Sequence, residues 1–389
     1  MDFKKGKWQS PEDRADDLIT QADTAINKGL VRKAESLLRK ACAIAPESPH
    51  PFMELAFLLR EQHRTEEAVE AQRKAVALER SATTLLLLGK LLSDIRPVVQ
   101  QYWDEAGAAF REAHRLEPSN RSAAVNLADW VRHDDPAQAA RMFSQILADD
   151  PGYTDARLGL GLCKAKLGDL DDAIAALEQV VQEDPDNPMA WEYLGQTLAS
   201  REYKIDPETP TPLLQRAIDA LRRARELDPT DSYVPCFLSI ALAACKDYEG
   251  AEQALRMALP FETCGIVSAT LGNLLAKLDR FEEADRIFET ASQEYPENNL
   301  VWRGFGQTLL LDGRDQQANL ARARNCFENA VRLNDKDAES LYRLGDALAG
   351  PEPELLPRAK DLLERCLAIR PDHHKARKVL EWVLSELGQ

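Results

Sequence analysis

The sequence predicts an all-α fold, a solenoid of antiparallel helix pairs. Three observations predict it. The stretch Asp155–Asp186, DARLGLGLCKAKLGDLDDAIAALEQVVQEDPD, reads as two amphipathic helices joined by a tight turn. Its pattern returns along the chain to give ten repeats, and Pro118, Pro151 and Pro185 are spaced 33 and 34 residues apart. Finally, 389 residues are too many for one compact core but natural for a repeat array. Charged residues at 29% and aromatics at 6% suit exposed helices rich in Ala and Leu.

Within the reference stretch, Leu158, Leu160 and Leu162 lie on the first helix, with Gly161 between them. Gly168 and Asp169 form the turn, because glycine accepts the left-handed conformation that ends a helix. Ala173, Leu177 and Val180 recur at helical spacing on the second helix, and Pro185 stops it. Gly161 and Ala173 are small because antiparallel helices approach closely only where side chains are absent or short.

Taken in order, residues 1–9 form a flexible basic tail, with Lys4, Lys5 and Lys7 ahead of Trp8. Ser10 and Pro11 read as an N-cap and first helical residue, with Glu12 and Asp13 complementing the helix dipole. The solenoid then occupies residues 10–371. Each repeat is anchored by a small residue on its first helix (A), an alanine on its second (B) and a closing breaker. Repeat one has Ala22, Ala34 and Pro46; repeat two has Ala56 and Ala68, with Arg80 in place of proline. Gly89, Ala106 and Pro118 follow in repeat three, and Ala128, Ala139 and Pro151 in repeat four. Repeat five is the reference stretch. Repeat six has Gly195, Ala217 and Pro229; repeat seven has Ser239 and Ala251 and no closing proline at the usual place. Repeat eight has Gly272, Ala284 and Pro296; repeat nine Gly306, Ala323 and Asp335; repeat ten Gly345, Ala359 and Pro371. Trp191 and Trp302 take the aromatic position of repeats six and nine. Residues 372–389 supply a capping helix over the apolar face of repeat ten, as a solenoid end requires.

Departures from the period mark inserts. Twelve residues separate Gly161 from Ala173, but 17 separate Gly89 from Ala106, 22 Gly195 from Ala217, and 17 Gly306 from Ala323. The longest insert, Tyr203–Pro212, is proline-rich and not expected to be helical. These inserts read either as a second contact surface or as tolerated loop growth. Repeat seven reads as a weak joint: Pro235 stands in its first turn, its helix B ends early at Pro260, and FETCG leads onward.

The net charge of −16 argues against nucleic acid and anionic membranes. It suits solubility of a long array, and it also favours a basic partner. Seven scattered cysteines without a CxxC read as free thiols of a reducing compartment. No apolar leader and no run of 18 apolar residues occur, so the expected location is cytoplasmic, without membrane insertion. Glycine-rich phosphate loops, HExxH and GxSxG are absent, and the His373–His374 pair lacks further ligands at metal spacing. That pair reads as exposed polar residues of the cap. Acidic pairs such as Asp171–Asp172 and Glu282–Glu283 begin helices B and complement their dipoles. No catalytic residue, cofactor or metal is expected.

The anchors and period resemble the tetratricopeptide repeat, whose unit is 34 residues. The resemblance implies a right-handed superhelix whose A helices line a concave groove. It places Met53, Phe57, Leu86, Val125, Leu158 and Leu162 there, followed by Glu192, Gln196, Ile240, Asn273, Arg303, Gln307 and Tyr342. The groove is then apolar in its N-terminal half and polar beyond. Two sub-types of the family are disfavoured. No three successive repeats carry the lysine, asparagine and arginine of a carboxylate clamp. An asparagine ladder has only Asn126 among Thr20, Glu54, Leu87, Gly159, Tyr193, Phe237, Thr270, Gly304 and Arg343. The implied function is a non-enzymatic scaffold or adaptor for a protein or peptide partner, such as an amphipathic helix or a basic segment. The rival is a regulatory or substrate-recruiting subunit of an enzyme whose catalytic site lies on another chain.

Overall fold

The computed structural model describes residues 10–95, 99–203, 212–231, 233–313, 316–350 and 352–388. The tail at 1–9 lies outside them, as do 96–98, 204–211 and 314–315 of the three inserts, so no second contact surface is described. The described residues contain 21 α-helices, two short 3-10 turns and no strand. The helices pair in chain order. α1 (Pro11–Ile26) packs on α2 (Val31–Ile44), α3 (His50–Glu61) on α4 (Thr65–Leu78) and α5 (Ala82–Ser93) on α6 (Gln100–Leu116). α7 (Arg121–Arg132) packs on α8 (Pro136–Asp149), and α9 (Thr154–Leu167) on α10 (Leu170–Glu183). This compact unit ends at Glu183. A second begins at Asp184 and pairs α11 (Pro188–Tyr203) with α12 (Pro212–Leu227), and α13 (Val234–Ala244) with α14 (Tyr248–Ala258). It continues with α15 (Ile266–Lys277) on α16 (Phe281–Glu294), α17 (Asn299–Leu311) on α18 (Gln316–Leu333) and α19 (Ala338–Leu348) on α20 (Leu356–Ile369). α21 (His374–Glu386) covers α20 and buries Ala376 and Val383 completely.

Local chemistry starts and stops these helices. Ser10 and Asp13 form a capping box on α1, with Pro11 in its first turn. Gly168 ends α9 at φ +89°, in the left-handed region. Where Arg80 replaces proline, Ser81 and Thr84 form a second capping box that starts α5. Asp337 caps α19 where repeat nine lacks its proline.

The anchors explain the packing. All ten helix-B alanines, Ala34, Ala68, Ala106, Ala139, Ala173, Ala217, Ala251, Ala284, Ala323 and Ala359, are 0% exposed. Four residues after each, one turn on and over the same face, helix B usually carries a large apolar side chain. Where helix A has glycine, that side chain fills the space above it. A β-carbon on Gly272 would stand 2.4 Å from Phe288, and one on Gly306 2.6 Å from Phe327. At Gly161 the gap to Leu177 is 3.1 Å. The tightest approach in α9 is instead at Gly159, where a β-carbon would meet Phe143 of α8 at 2.3 Å. Repeat two breaks the rule with Gln72, 1% exposed, whose amide donates to the Thr84 carbonyl at 2.9 Å.

The expected weak joint at repeat seven is tied down. α14 ends at Ala258 and runs into the 3-10 turn Leu259–Phe261, and Gly265 precedes α15 at φ +83°. The Glu262 carboxylate then accepts from the Ser268 amide at 3.1 Å and its hydroxyl at 2.5 Å. Tyr295 donates its hydroxyl to the Glu262 carbonyl, and Asn298 its amide to the Cys264 carbonyl. The division between compact units falls elsewhere, after Glu183.

Ion pairs lace the B helices. Glu35 on α2 takes Arg39 and Arg64, and Arg64 also takes Glu67. The same quartet recurs in the second unit as Glu252, Arg256, Arg280 and Glu283. Arg73–Glu105, Arg322–Glu289 and Arg358–Glu328 continue the pattern from one B helix to the next, and Arg80, in the turn after α4, pairs with Glu112.

Candidate partner-binding face

In the first unit the expected groove residues separate by depth. Phe57 is 53% exposed, with the Arg60 guanidinium 5.3 Å from its ring centroid. Met53, Val125 and Leu158 are half-buried, and Val125 packs against the core. Leu86 and Leu162 are 8% and 7% exposed, so both belong to the core rather than to an open groove. The expected apolar face of this unit therefore reduces to Phe57 with partly covered neighbours. A separate cavity of about 370 Å³ lies among α2, α3 and α4, lined by Cys42, Phe52 and Lys74 among others. Burial pushes the Cys42 thiol up to about 11, which disfavours its thiolate.

The second unit carries the polar set. Glu192 on α11 is half-buried, and burial, reinforced by the charge of Asp231, pushes its carboxyl up to about 7. Gln196, one turn on, donates to it at 2.7 Å and partly offsets that shift. Ile240 is 45% exposed. Arg303, expected on the polar half of the groove, has its guanidinium 2.7 Å from Asp337, which also accepts from Ser340. Tyr342 is 6% exposed and packs on the His373 ring at 4.7 Å, so it too belongs to the core. His373 was expected at the surface. Its side chain is only 8% exposed, and its Nδ1 accepts from the Ala376 amide to cap α21 while Nε2 faces Glu339 at 3.4 Å.

Two of the expected residues come together. Asn273 on α15 and Gln307 on α17 share the wall of a cavity of about 430 Å³, with Lys277, Asp279, Thr308 and Leu311. They stand 34 residues apart, one repeat, so the pair was visible in the period. Thr308 and Leu311 were missed, because both read as ordinary helix residues. No cluster among the described residues groups three or more His, Cys, Asp or Glu side chains as a metal site would.

Five antiparallel helix pairs in each unit, each packed on its neighbours within the unit, define an α-solenoid repeat architecture. Models of the tetratricopeptide repeat match residues 131–196, and residues 164–232 and 315–350. Over those stretches the chain carries tetratricopeptide repeats. It is similar to tetratricopeptide repeat protein 1 of Schizosaccharomyces pombe, 24% identical over 58% of this chain and 22% of that one. It also resembles a peroxisomal targeting signal receptor of Eremothecium gossypii, 27% identical over 54% of this chain and 34% of the other. The chain thus spans about a fifth to a third of these curated relatives. Among solved structures, yeast Tom70 superposes with a TM-score of 0.53 at 14% identity, covering 96% of this chain and 88% of Tom70. That likeness is one of fold. No helix among the described residues is long and apolar enough to cross a membrane.

Proposed function

We propose that this chain is a non-enzymatic scaffold that holds a segment of a partner polypeptide against its A helices. The observation that carries the reading is a contrast within the second unit. Its B helices are occupied by ion pairs with one another, as in Arg322–Glu289 and Arg358–Glu328. Its A helices carry fewer such pairs, Arg303–Asp337 among them, and also present exposed Ile240 and Asn273 and an open cavity between α15 and α17. Convergent polar groups around an apolar cavity are what a binding site needs. The similarity to a protein named as a targeting signal receptor supports the same reading. The polar second unit, rather than the apolar first, is the preferred site, since Leu86 and Leu162 are core residues. A photo-crosslinking residue at Phe57, Ile240 or Gln307, with one at Arg358 on α20 as control, tests the assignment in native extract. Crosslinks to a defined polypeptide from Ile240 and Gln307 are expected. Crosslinks confined to Arg358 would place the partner on the B helices and sink the proposal.

A further inference from the structure

We infer that the chain associates with a second copy of itself head to tail, the exposed face of α21 on one copy resting against the exposed face of α1 on the next. The inference goes beyond the scaffold reading and uses neither cavity. It starts from charge that is out of place. The chain carries a net charge of −16, yet α21 opens with His374, Lys375, Arg377 and Lys378 and meets no acid before Glu381. All four basic residues are exposed. Positive charge in a first turn opposes the helix dipole, whereas α1 shows the favourable arrangement with Glu12 and Asp13. The basic residues of α21 therefore weaken the helix that carries them. Arg377 donates to the Pro371 carbonyl, but Lys378 has no carboxylate partner among the described residues. Trp382, one turn on, is 43% exposed and adds an apolar surface beside it. Solubility explains neither feature, since a solubilising face takes either sign of charge and no tryptophan.

The complementary surface is on α1. It holds five acids, Glu12, Asp13, Asp16, Asp17 and Asp23, against one base, Arg14, and all six are exposed. Asp17 stands at the centre of the exposed face, opposite the buried row of Ala15, Ile19 and Ala22. Lys378 stands opposite Ala376 and Val383 in the same way. Set antiparallel, the two helices bring Asp17 against Lys378 and Arg14 against Trp382 and Glu381. Three residues of helix rise about 4.5 Å and four about 6 Å, so the two spacings agree. An arginine over a tryptophan ring is itself a favourable contact. Exposed charges more than about 8 Å apart are largely screened at physiological salt, so the local match outweighs repulsion between two acidic chains. Two different surfaces meet, so each copy offers α21 to one neighbour and α1 to another.

Sedimentation velocity of the full chain, up to millimolar concentration, tests this. Wild type should associate as concentration rises and dissociate as salt is added. Lys375→Glu with Lys378→Glu should weaken association about tenfold or more, and Asp17→Lys with Asp23→Lys should do the same. The two double variants mixed should associate again, because every mixed contact pairs a reversed α21 with a reversed α1 or joins two native faces. Thermal melts check that both variants fold. Should a reversal unfold the chain, Lys378→Gln and Asp17→Asn repeat the test by removing charge only, and each should weaken association. A chain that stays monomeric at every concentration overturns the inference. Association as strong as wild type in the variants overturns it too, and so does a mixture of folded variants that stays monomeric.

Discussion

At the scale of single residues, the glycines and leucines of the A helices carry the sharpest expectations. Gly272 faces Phe288 so closely that an added β-carbon would stand 2.4 Å away, and Phe288 is itself fully buried. Gly272→Ala gains about 1 kcal/mol of helix propensity, but overpacking typically costs about 1–3 kcal/mol. The variant should therefore be less stable than wild type in denaturant titration. Gly161→Ala, with 3.1 Å to Leu177, should cost less or nothing. A reversed order of the two midpoints would show that helix separation does not govern these positions. Leu162→Glu should be strongly destabilising, because it places a carboxylate at a site 7% exposed, whereas Leu158→Glu at a half-buried site should be mild. Thermal melts of the two single variants separate these outcomes.

At the scale of elements, helix pairs are joined by charges whose titration opposes that of the face. In Glu35, burial disfavours ionisation, but hydrogen bonds from Arg39 and Arg64 outweigh it and hold the carboxyl below its ordinary value. Hydrogen bonds from Arg64 lower Glu67, and those from Arg280 lower Glu252 and Glu283. Stability from these groups is present above the ordinary carboxylate value and is lost as pH falls through the lowered folded values. Glu192 works in the other direction. Its folded value of about 7 lies above the ordinary 4.5, so the folded state holds the proton longer. Stability then declines as pH rises from 4.5 to 7. Glu192→Gln should melt higher than wild type at pH 8, about one unit above that window, and match it near the acid end. An equal shift at both pH values would assign the effect to packing instead. At the turn after α14, Glu262→Ala should speed hydrogen exchange at the Ser268 amide, which loses its acceptor. Unchanged protection there would mean that the segment is held by other contacts.

At the scale of the whole molecule, repeats within each compact unit touch their neighbours, and one unit ends at Glu183 where the next begins at Asp184. Stability in such arrays is a sum of local terms. Gly272→Ala should therefore lower exchange protection in α15 and α16 while leaving α1 to α10 near wild type. Uniform loss of protection along the chain would indicate one cooperative block.

What could be read before folding was the periodic part. Each helix-B alanine must be small because a neighbouring helix crosses it, and that demand repeats in every unit, so ten alanines at 0% exposure were legible from spacing. Depth along the A helices was not legible, because it depends on side chains one repeat away. Leu162 and Leu158 look alike in sequence, yet one is core and the other half-covered. Arg303 pairs with Asp337, 34 residues on, and His373 packs against Tyr342 and Glu339. Periodicity fixes which residues meet in every repeat; only the packed neighbours decide how deeply each side chain is buried and which polar groups are satisfied.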